Sequence, residues 1–231
     1  KLSVQVHPND DNAHLTGGEP KTEMWVALEG CDPDACVIAG FPEGVGRPEV
    51  EQAVRSGHFE NTLNRLPLQP DRAVFVPGGR VHAIGAGCLV LEVQQNSNTT
   101  YRLHDWNRTD DQGHPRELHV EQAMQVIDWD DHDSPMLESS PLPAHAGLMR
   151  ELVLDTELFR VERWCASSPQ TLTSDGDSFR ILFCEGGQAT VSGSGEDVFF
   201  EPGTTVLLPA NLETTDLAPG PEGVRLISVA L

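Results

Sequence analysis

The clearest periodicity in the chain is the short alternation Leu2-Ser3-Val4-Gln5-Val6-His7-Pro8. Period two is the signature of a half-buried strand. Val4 and Val6 then point to one side, and Gln5 and His7 to the other. One wall of whatever the strand encloses thus carries two polar heads, one of them an imidazole. Lys21-Thr22-Glu23-Met24-Trp25 places Lys21, Glu23 and Trp25 on a common face by the same spacing. Pro77-Gly78-Gly79-Arg80-Val81-His82 is a turn running into another strand, its glycines letting the backbone bend and present His82 inward. Gln5, His7, Glu23 and His82 form a nitrogen and oxygen ligand set that suits zinc and leaves room for water or a substrate.

The pattern predicts strands over 2–8, 22–28, 36–40, 73–76, 89–95 and 99–105. Asn9-Asp10-Asp11 is suited to cap a short helical turn. Residues 48–55 read as a helix, with Pro48 in the first turn, acidic Glu49 and Glu51 early and Arg55 late. A second short helix is expected over 58–66, the pair forming a small insertion between strands. Over 117–127, Val120, Ala123, Met124 and Ile127 fall on one helical face. The acidic, proline-bearing stretch that follows predicts a boundary, giving domains 1–130 and 147–231 with a linker at 131–146. Beyond it, short strands are expected at 151–154, 158–164, 170–173, 179–184, 188–191, 197–200, 204–208 and 224–230. Cys184-Glu185-Gly186-Gly187 and Glu201-Pro202-Gly203 read as corners between them. The fold class is mainly β with a small helical insertion; the short strands of the second half suggest a β-sandwich or barrel, and similar corners near 75–82 suggest two diverged copies of one barrel.

Composition narrows the chemistry. At 231 residues and a formal charge of −21, the chain repels nucleic acid and anionic membrane surfaces. An anionic substrate needs a local cluster of Lys or Arg, because screening over about 8 Å makes the local field count for more than the net charge. Cys31, Cys36, Cys88, Cys165 and Cys184 show no CxxC spacing and fit a reducing cytoplasm. No apolar run approaches the roughly 20 residues of a membrane span, and no signal peptide is visible. The chain opens at Lys1 and enters a strand almost at once, so an upstream segment is expected.

Taken alone, His7 reads as a core histidine and Glu23 as a solvated partner of Lys21. Gln5 beside His7 weakens the first reading, since two buried polar heads require partners. Arg102 reads equally as a functional cation or as a strand Arg paired with Asp105 or Glu92. His14, His58, His104, His114, His119, His132 and His145 fall on loops or helices and read as solvated or capping residues.

Pro77-x-Gly79-x-x-His82 resembles the second cupin motif, although Ala86 stands where the usual downstream Asn would be. Gln5-x-His7 replaces the usual His-x-His, and Glu23 lies further along than in typical cupins. With Lys21-Thr22-Glu23-Met24-Trp25, Leu91-Glu92 through Thr100-Tyr101-Arg102, and Arg116-Glu117-Leu118-His119, these departures resemble the short bacterial form of type I mannose-6-phosphate isomerase. The resemblance covers roughly residues 1–130; from 147 onward it rests on architecture. It implies two cupin-like jelly-roll barrels, with further strands ahead of the Gln-x-His strand. It implies one Zn²⁺ per chain held by Gln5, His7, Glu23 and His82 in the first barrel, with Lys21, Glu92 and Arg102 as catalytic groups. The implied activity interconverts mannose 6-phosphate and fructose 6-phosphate through a cis-enediol in the cytoplasm, with a sugar phosphate as the small-molecule partner. The competing reading is a non-catalytic, metal-bearing sugar-binding or regulatory cupin. A metal-dependent oxygenase is disfavoured, because Gln5 replaces a His of the usual facial triad.

Overall fold

Val4–Val6 forms the strand that the alternation predicts, β1. In the computed structural model, which describes residues 1–174, 176–193 and 195–231, β1 lies inside a five-stranded antiparallel sheet. With strands numbered along the chain, its order is β4 (Arg65–Pro67), β3 (Cys36–Ala39), β6 (His82–Ile84), β1 and β8 (Tyr101–His104). A second sheet has the order β7 (Val90–Gln94), β2 (Glu23–Ala27), β5 (Ala73–Val76) and β9 (Met136–Leu137). Together with three helices, α1 (Ala13–Thr16), α2 (Arg47–Ser56) and α3 (Val120–Val126), they make up one compact unit, Lys1–Leu137.

The alternation of β1 sorts its side chains as the sequence requires. Val4 and Val6 are fully buried in a cluster with Val50 of α2 and Ala123 and Val126 of α3. Each such buried Val contributes about 1.5–3 kcal/mol. The helices therefore cover the outer face of the five-stranded sheet. A second cluster, with Trp25, Val37, Val74 and Val76, joins the two sheets. Between the sheets the opposite face of β1 carries Gln5, which lies level with His82 of β6 on one side and Arg102 of β8 on the other. Residues so paired project from the same face.

Several local expectations meet their physical limits here. The helix expected over 58–66 is a single 3₁₀ turn, Phe59–Thr62, followed by β4. Leu66 precedes a proline and is driven to extended geometry, and Thr62 turns its hydroxyl back onto the Phe59 carbonyl. The helix over 117–127 starts only at Val120, because His119 is tied to β8: its N–H donates to the Arg102 carbonyl at 2.8 Å. In the first loop, Asn9 Oδ1 accepts the N–H groups of Asp11 and Asn12 just ahead of α1. The segment 131–146 is not a free linker. Asp131 grips buried Arg80, and β9 pairs with β5, all within the first unit. Beyond the division at Leu137, Ser140–Pro141 (β10) already pairs with the second unit's first long strand.

That unit, Glu138–Leu231, is one eight-stranded sheet. Its strands after β10 are β11 (Leu148–Asp155), β12 (Arg160–Ala166), β13 (Gln170–Thr173), β14 (Arg180–Ser192), β15 (Val198–Phe200), β16 (Thr205–Leu208) and β17 (Thr214–Ala230). The two longest, β14 and β17, pair with each other along most of their length. At one end β12 and β16 flank them, and at the other β13 and β15. The corner expected at Glu185-Gly186-Gly187 is instead a pair of register shifts inside β14. Gly187 has φ +73°, and a Cβ there would meet the Gly223 carbonyl of β17 at 2.2 Å. Glycine marks a close approach of two strands rather than a chain reversal. Likewise β17 runs through Pro219-Gly220-Pro221, where the sequence predicts a strand only over 224–230. Leu148, Trp164, Leu182, Phe200, Leu217 and Leu226 form this unit's core. Among the described residues no helix is long and apolar enough to cross a membrane.

Candidate metal centre

Three of the four expected ligands meet between the sheets of the first unit. Among the described residues, His7, Glu23 and His82 form a group whose potential ligand atoms all lie within 4.8 Å of one another, and all three are buried. His7 follows directly on β1, Glu23 opens β2 and His82 opens β6. The Pro77-Gly78-Gly79 turn ahead of His82 requires its glycines. A Cβ on Gly78 would lie 2.5 Å from the Pro8 carbonyl, and Gly79 has φ +96°. Two chain segments carrying ligand histidines thus touch backbone to backbone, with Gly79 N–H donating to the His7 carbonyl at 2.7 Å.

The histidine tautomers follow from their neighbours. His7 Nδ1 lies 2.7 Å from the Thr99 carbonyl and His82 Nδ1 lies 2.9 Å from the Arg80 carbonyl. A carbonyl only accepts, so each Nδ1 carries a proton, and in the neutral imidazole Nε2 keeps the lone pair. His7 Nε2 is 3.1 Å from Glu23 Oε1, and His82 Nε2 is 3.7 Å from Glu23 Oε2. Lys21 Nζ approaches Glu23 Oε1 at 2.6 Å. None of these contacts is aligned as a hydrogen bond for His7 Nε2 or Glu23 Oε1, and among the described residues neither buried atom has a hydrogen-bond partner. Lone pairs gathered in a dry site, each imidazole held from behind by a carbonyl, form the donor arrangement that a divalent metal takes. Two imidazoles and a carboxylate fit zinc.

Charge reinforces this arrangement. Burial alone would raise the Glu23 pKa, but its interactions with His7, His82 and Lys21 outweigh it and hold the carboxyl well below the usual range. Burial, followed by the charge of His7, pushes His82 down to about 4, so its imidazole is neutral and able to ligate near pH 7. Trp25 closes one side, its ring centroid 5.6 Å from that of His82.

The remaining expected residues take distinct places. Gln5 turns its amide nitrogen to His82 Nε2 at 3.4 Å, while Ser3 Oγ donates to its Oε1 at 3.1 Å. Rotating the amide by half a turn would bring the oxygen to His82 and leave Ser3 Oγ as acceptor. Glu92 pairs level with Trp25 across β7 and β2, which sends it to the side that carries Glu23. Its residue surface is exposed, yet partial burial of the carboxyl and the charge of Glu23 alongside push its pKa up to about 7. Arg102 leaves the sheet on the Gln5 face. Its Nη1 donates to the Glu117 carbonyl at 2.8 Å, while its buried Nε has no hydrogen-bond partner among the described residues. Asp105 is not the partner of Arg102; it is held by Arg116 and Arg108. His119 accepts the Arg102 backbone N–H at Nδ1.

Sequence reasoning missed the orienting groups. Thr99 and Arg80 act through main-chain carbonyls, for which no side-chain signal exists. Arg80 is itself buried, its guanidinium clamped by Asp131 and the Phe75 carbonyl.

The likenesses to known proteins extend over both units. The family profile for the mannose-6-phosphate isomerase cupin domain matches residues 149–221, so the second half carries sequence as well as architectural likeness. Mannose-6-phosphate isomerase ManA of Bacillus subtilis (strain 168) is 36% identical over 217 residues, 91% of this chain and 66% of the relative. Mannose-6-phosphate isomerase of Streptococcus mutans is 31% identical, over 92% of this chain and 66% of the relative. The chain thus spans about two thirds of the length of these relatives. A crystal structure of mannose 6-phosphate isomerase from Bacillus subtilis superposes with a TM-score of 0.84 at 29% identity, covering 100% of this chain and 71% of that one. The motifs of the first half, the profile match in the second and the two-unit β architecture agree: the chain belongs to the cupin-type mannose-6-phosphate isomerase family.

Proposed function

We propose that this chain carries the catalytic metal unit of a zinc-dependent isomerase that interconverts mannose 6-phosphate and fructose 6-phosphate. The observation that carries the reading is the buried cluster of His7, Glu23 and His82, in which, among the described residues, His7 Nε2 and Glu23 Oε1 make no hydrogen bond. His7, Glu23, His82 and a rotated Gln5 would hold the ion, which supplies Lewis acidity to the sugar oxygens when bound.

The reaction moves a proton between C1 and C2 through a cis-enediol, and the chain offers a group for each task. Glu92 faces the cluster with a raised pKa of about 7, the range a base needs to exchange the carbon-bound proton at neutral pH. Lys21, 2.6 Å from Glu23, serves proton movement at the sugar hydroxyls. Arg102, whose buried Nε makes no hydrogen bond among the described residues and whose guanidinium is anchored on the Glu117 carbonyl, provides a cationic fork for phosphate or for the enediolate. The test is a coupled assay of fructose 6-phosphate formation on zinc-loaded protein, before and after a chelator. Turnover that disappears with the chelator and returns with zinc supports the proposal. Sugar-phosphate binding without turnover under zinc would assign the chain to a non-catalytic, metal-bearing cupin instead.

A further inference from the structure

Trp25 is 1% exposed and packs in the apolar cluster with Val37, Val74 and Val76. A phenylalanine would supply an apolar ring there too; what tryptophan adds is one N–H donor. That donor, Nε1, is buried and among the described residues has no hydrogen-bond partner. Two other indoles show the ordinary outcome. Trp164 Nε1 donates to Glu162 Oε2 at 2.7 Å, and Trp106 Nε1 donates to the Leu2 carbonyl at 2.6 Å. A buried donor without an acceptor destabilises a fold, so the Trp25 N–H calls for an acceptor that can reach it.

Strand register shows what this donor faces. Trp25 of β2 lies level with Glu92 of β7, so both side chains leave the same face of the sheet. Glu23, two residues back on β2, leaves that face as well. The Trp25 ring meets the His82 ring edge to face, with centroids 5.6 Å apart. The indole thus borders the metal centre on the side of Glu92. Its N–H already acts on that carboxyl: burial and the charge of Glu23 raise the Glu92 pKa, and the Trp25 N–H pulls against them. The two groups are close but not aligned as a hydrogen bond.

Only one of the two is free to complete the alignment. The indole is enclosed on all sides, whereas Glu92 is exposed and can turn its carboxyl about its own side-chain bonds. A carboxylate has two acceptor oxygens. One can take the fixed N–H while the other remains available to a proton.

We propose that Trp25 is a positioning residue, its indole N–H fixing one oxygen of the Glu92 carboxylate and holding the other toward the sugar carbon. The inference rests on the isomerase reading, in which Glu92 exchanges the carbon-bound proton. Trp25 acts through Glu92 and touches no reacting atom. Misplacing a reacting group by about 1 Å can cost about 10²-fold in rate, so one such hydrogen bond is enough to matter.

The experiment joins NMR to kinetics on the whole, zinc-loaded chain. In ¹H–¹⁵N spectra the Trp25 indole signal should move upfield in Glu92→Leu, while those of Trp106, Trp129 and Trp164 stay in place. Trp25→Phe assigns the signal; if that variant does not fold, Trp106→Phe, Trp129→Phe and Trp164→Phe assign it by elimination. Trp25→Phe should lower kcat about 10–100-fold with KM within about twofold and zinc content unchanged. In a Glu92→Leu background the same substitution should leave the residual kcat where it is. A merely structural Trp25 would lower kcat by the same factor in both backgrounds. That result, full turnover in Trp25→Phe, or a Trp25 indole signal indifferent to Glu92→Leu would each overturn the proposal. Absence of turnover in the zinc-loaded wild type would fail the isomerase reading instead, and the indole signal would still decide whether Trp25 holds Glu92.

Discussion

Glu23 and Glu162 are both almost completely buried, each on a strand inside its own β unit, yet they are treated in opposite ways. Glu162 accepts four aligned hydrogen bonds from Arg150, Arg160 and Trp164, which hold its pKa below the usual range against the opposing effect of burial. Glu23 has two imidazoles and an ammonium within 3.7 Å, but its Oε1 has no aligned donor. A buried carboxylate with its lone pairs saturated is a structural anchor, while one that faces imidazole nitrogens and makes no aligned hydrogen bond at one oxygen is open to a metal ion. Residue type and burial are the same; the difference lies in where the neighbouring protons are. In the first unit, carbonyls of Thr99 and Arg80 claim the imidazole N–H groups and turn the lone pairs inward.

The comparison breaks most visibly in kinetics. Arg102→Ala, on zinc-loaded protein, should lower turnover about 10²–10³-fold, roughly 2.7–4 kcal/mol, if Arg102 stabilises the enediolate. A rise in KM with turnover intact would restrict it to the phosphate. Lys21→Met and Glu92→Gln should lose activity as well, Glu92→Gln together with solvent-deuterium exchange into the substrate. Full turnover in all three variants would remove them from the site.

Stability should show the reverse asymmetry. Glu162→Ala leaves the Arg150, Arg160 and Trp164 donors without their acceptor. Because both guanidiniums are partly open to water, the expected cost is about 2–3 kcal/mol, less than for a fully buried pair. Glu23→Gln in chelated protein should cost less than that, within about 1 kcal/mol, since Lys21 retains an oxygen to approach. Denaturant midpoints at constant m-value measure both. An equal cost for the two would contradict the distinction between anchor and ligand.

The first unit's layout was legible wherever chemistry follows a short period. Alternation alone places Gln5 opposite the Val4 and Val6 core, and the glycines before His82 mark the turn that presents it inward. The long strands of the second unit were not legible. Gly186-Gly187 and Pro219-Gly220-Pro221 carry the composition of turns, and only the neighbouring strand, passing too close for a Cβ at Gly187, reveals that the chain continues. Asp131 was hidden for a related reason. An acidic residue among acidic residues reads as solvent-facing until its partner, the buried Arg80 far back in the chain, is known. Glu162 gave no signal either, because its donors come from three positions whose register pairing the sequence does not state.

A smaller effect sharpens the comparison through pH. The folded Glu162 pKa is depressed, so its contribution is present above the unfolded carboxyl pKa of about 4.3 and is lost as pH falls through the lower folded value. The stability gap between the wild type and Glu162→Gln should therefore be constant from pH 7 to about 5 and shrink below about 4. A gap that persists unchanged at pH 2–3 would show that the ionised carboxylate is not what anchors the second unit.

The most direct test of the central claim is metal content per chain after zinc loading and gel filtration. Wild type and Glu162→Gln should each retain one equivalent. Glu23→Gln and His82→Ala should fall well below it, with Gln5→Ala in between, because an amide oxygen is a weaker zinc ligand than imidazole. Equal retention by wild type and His82→Ala, or loss of the ion from folded Glu162→Gln, would contradict the assignment of the metal to the first unit.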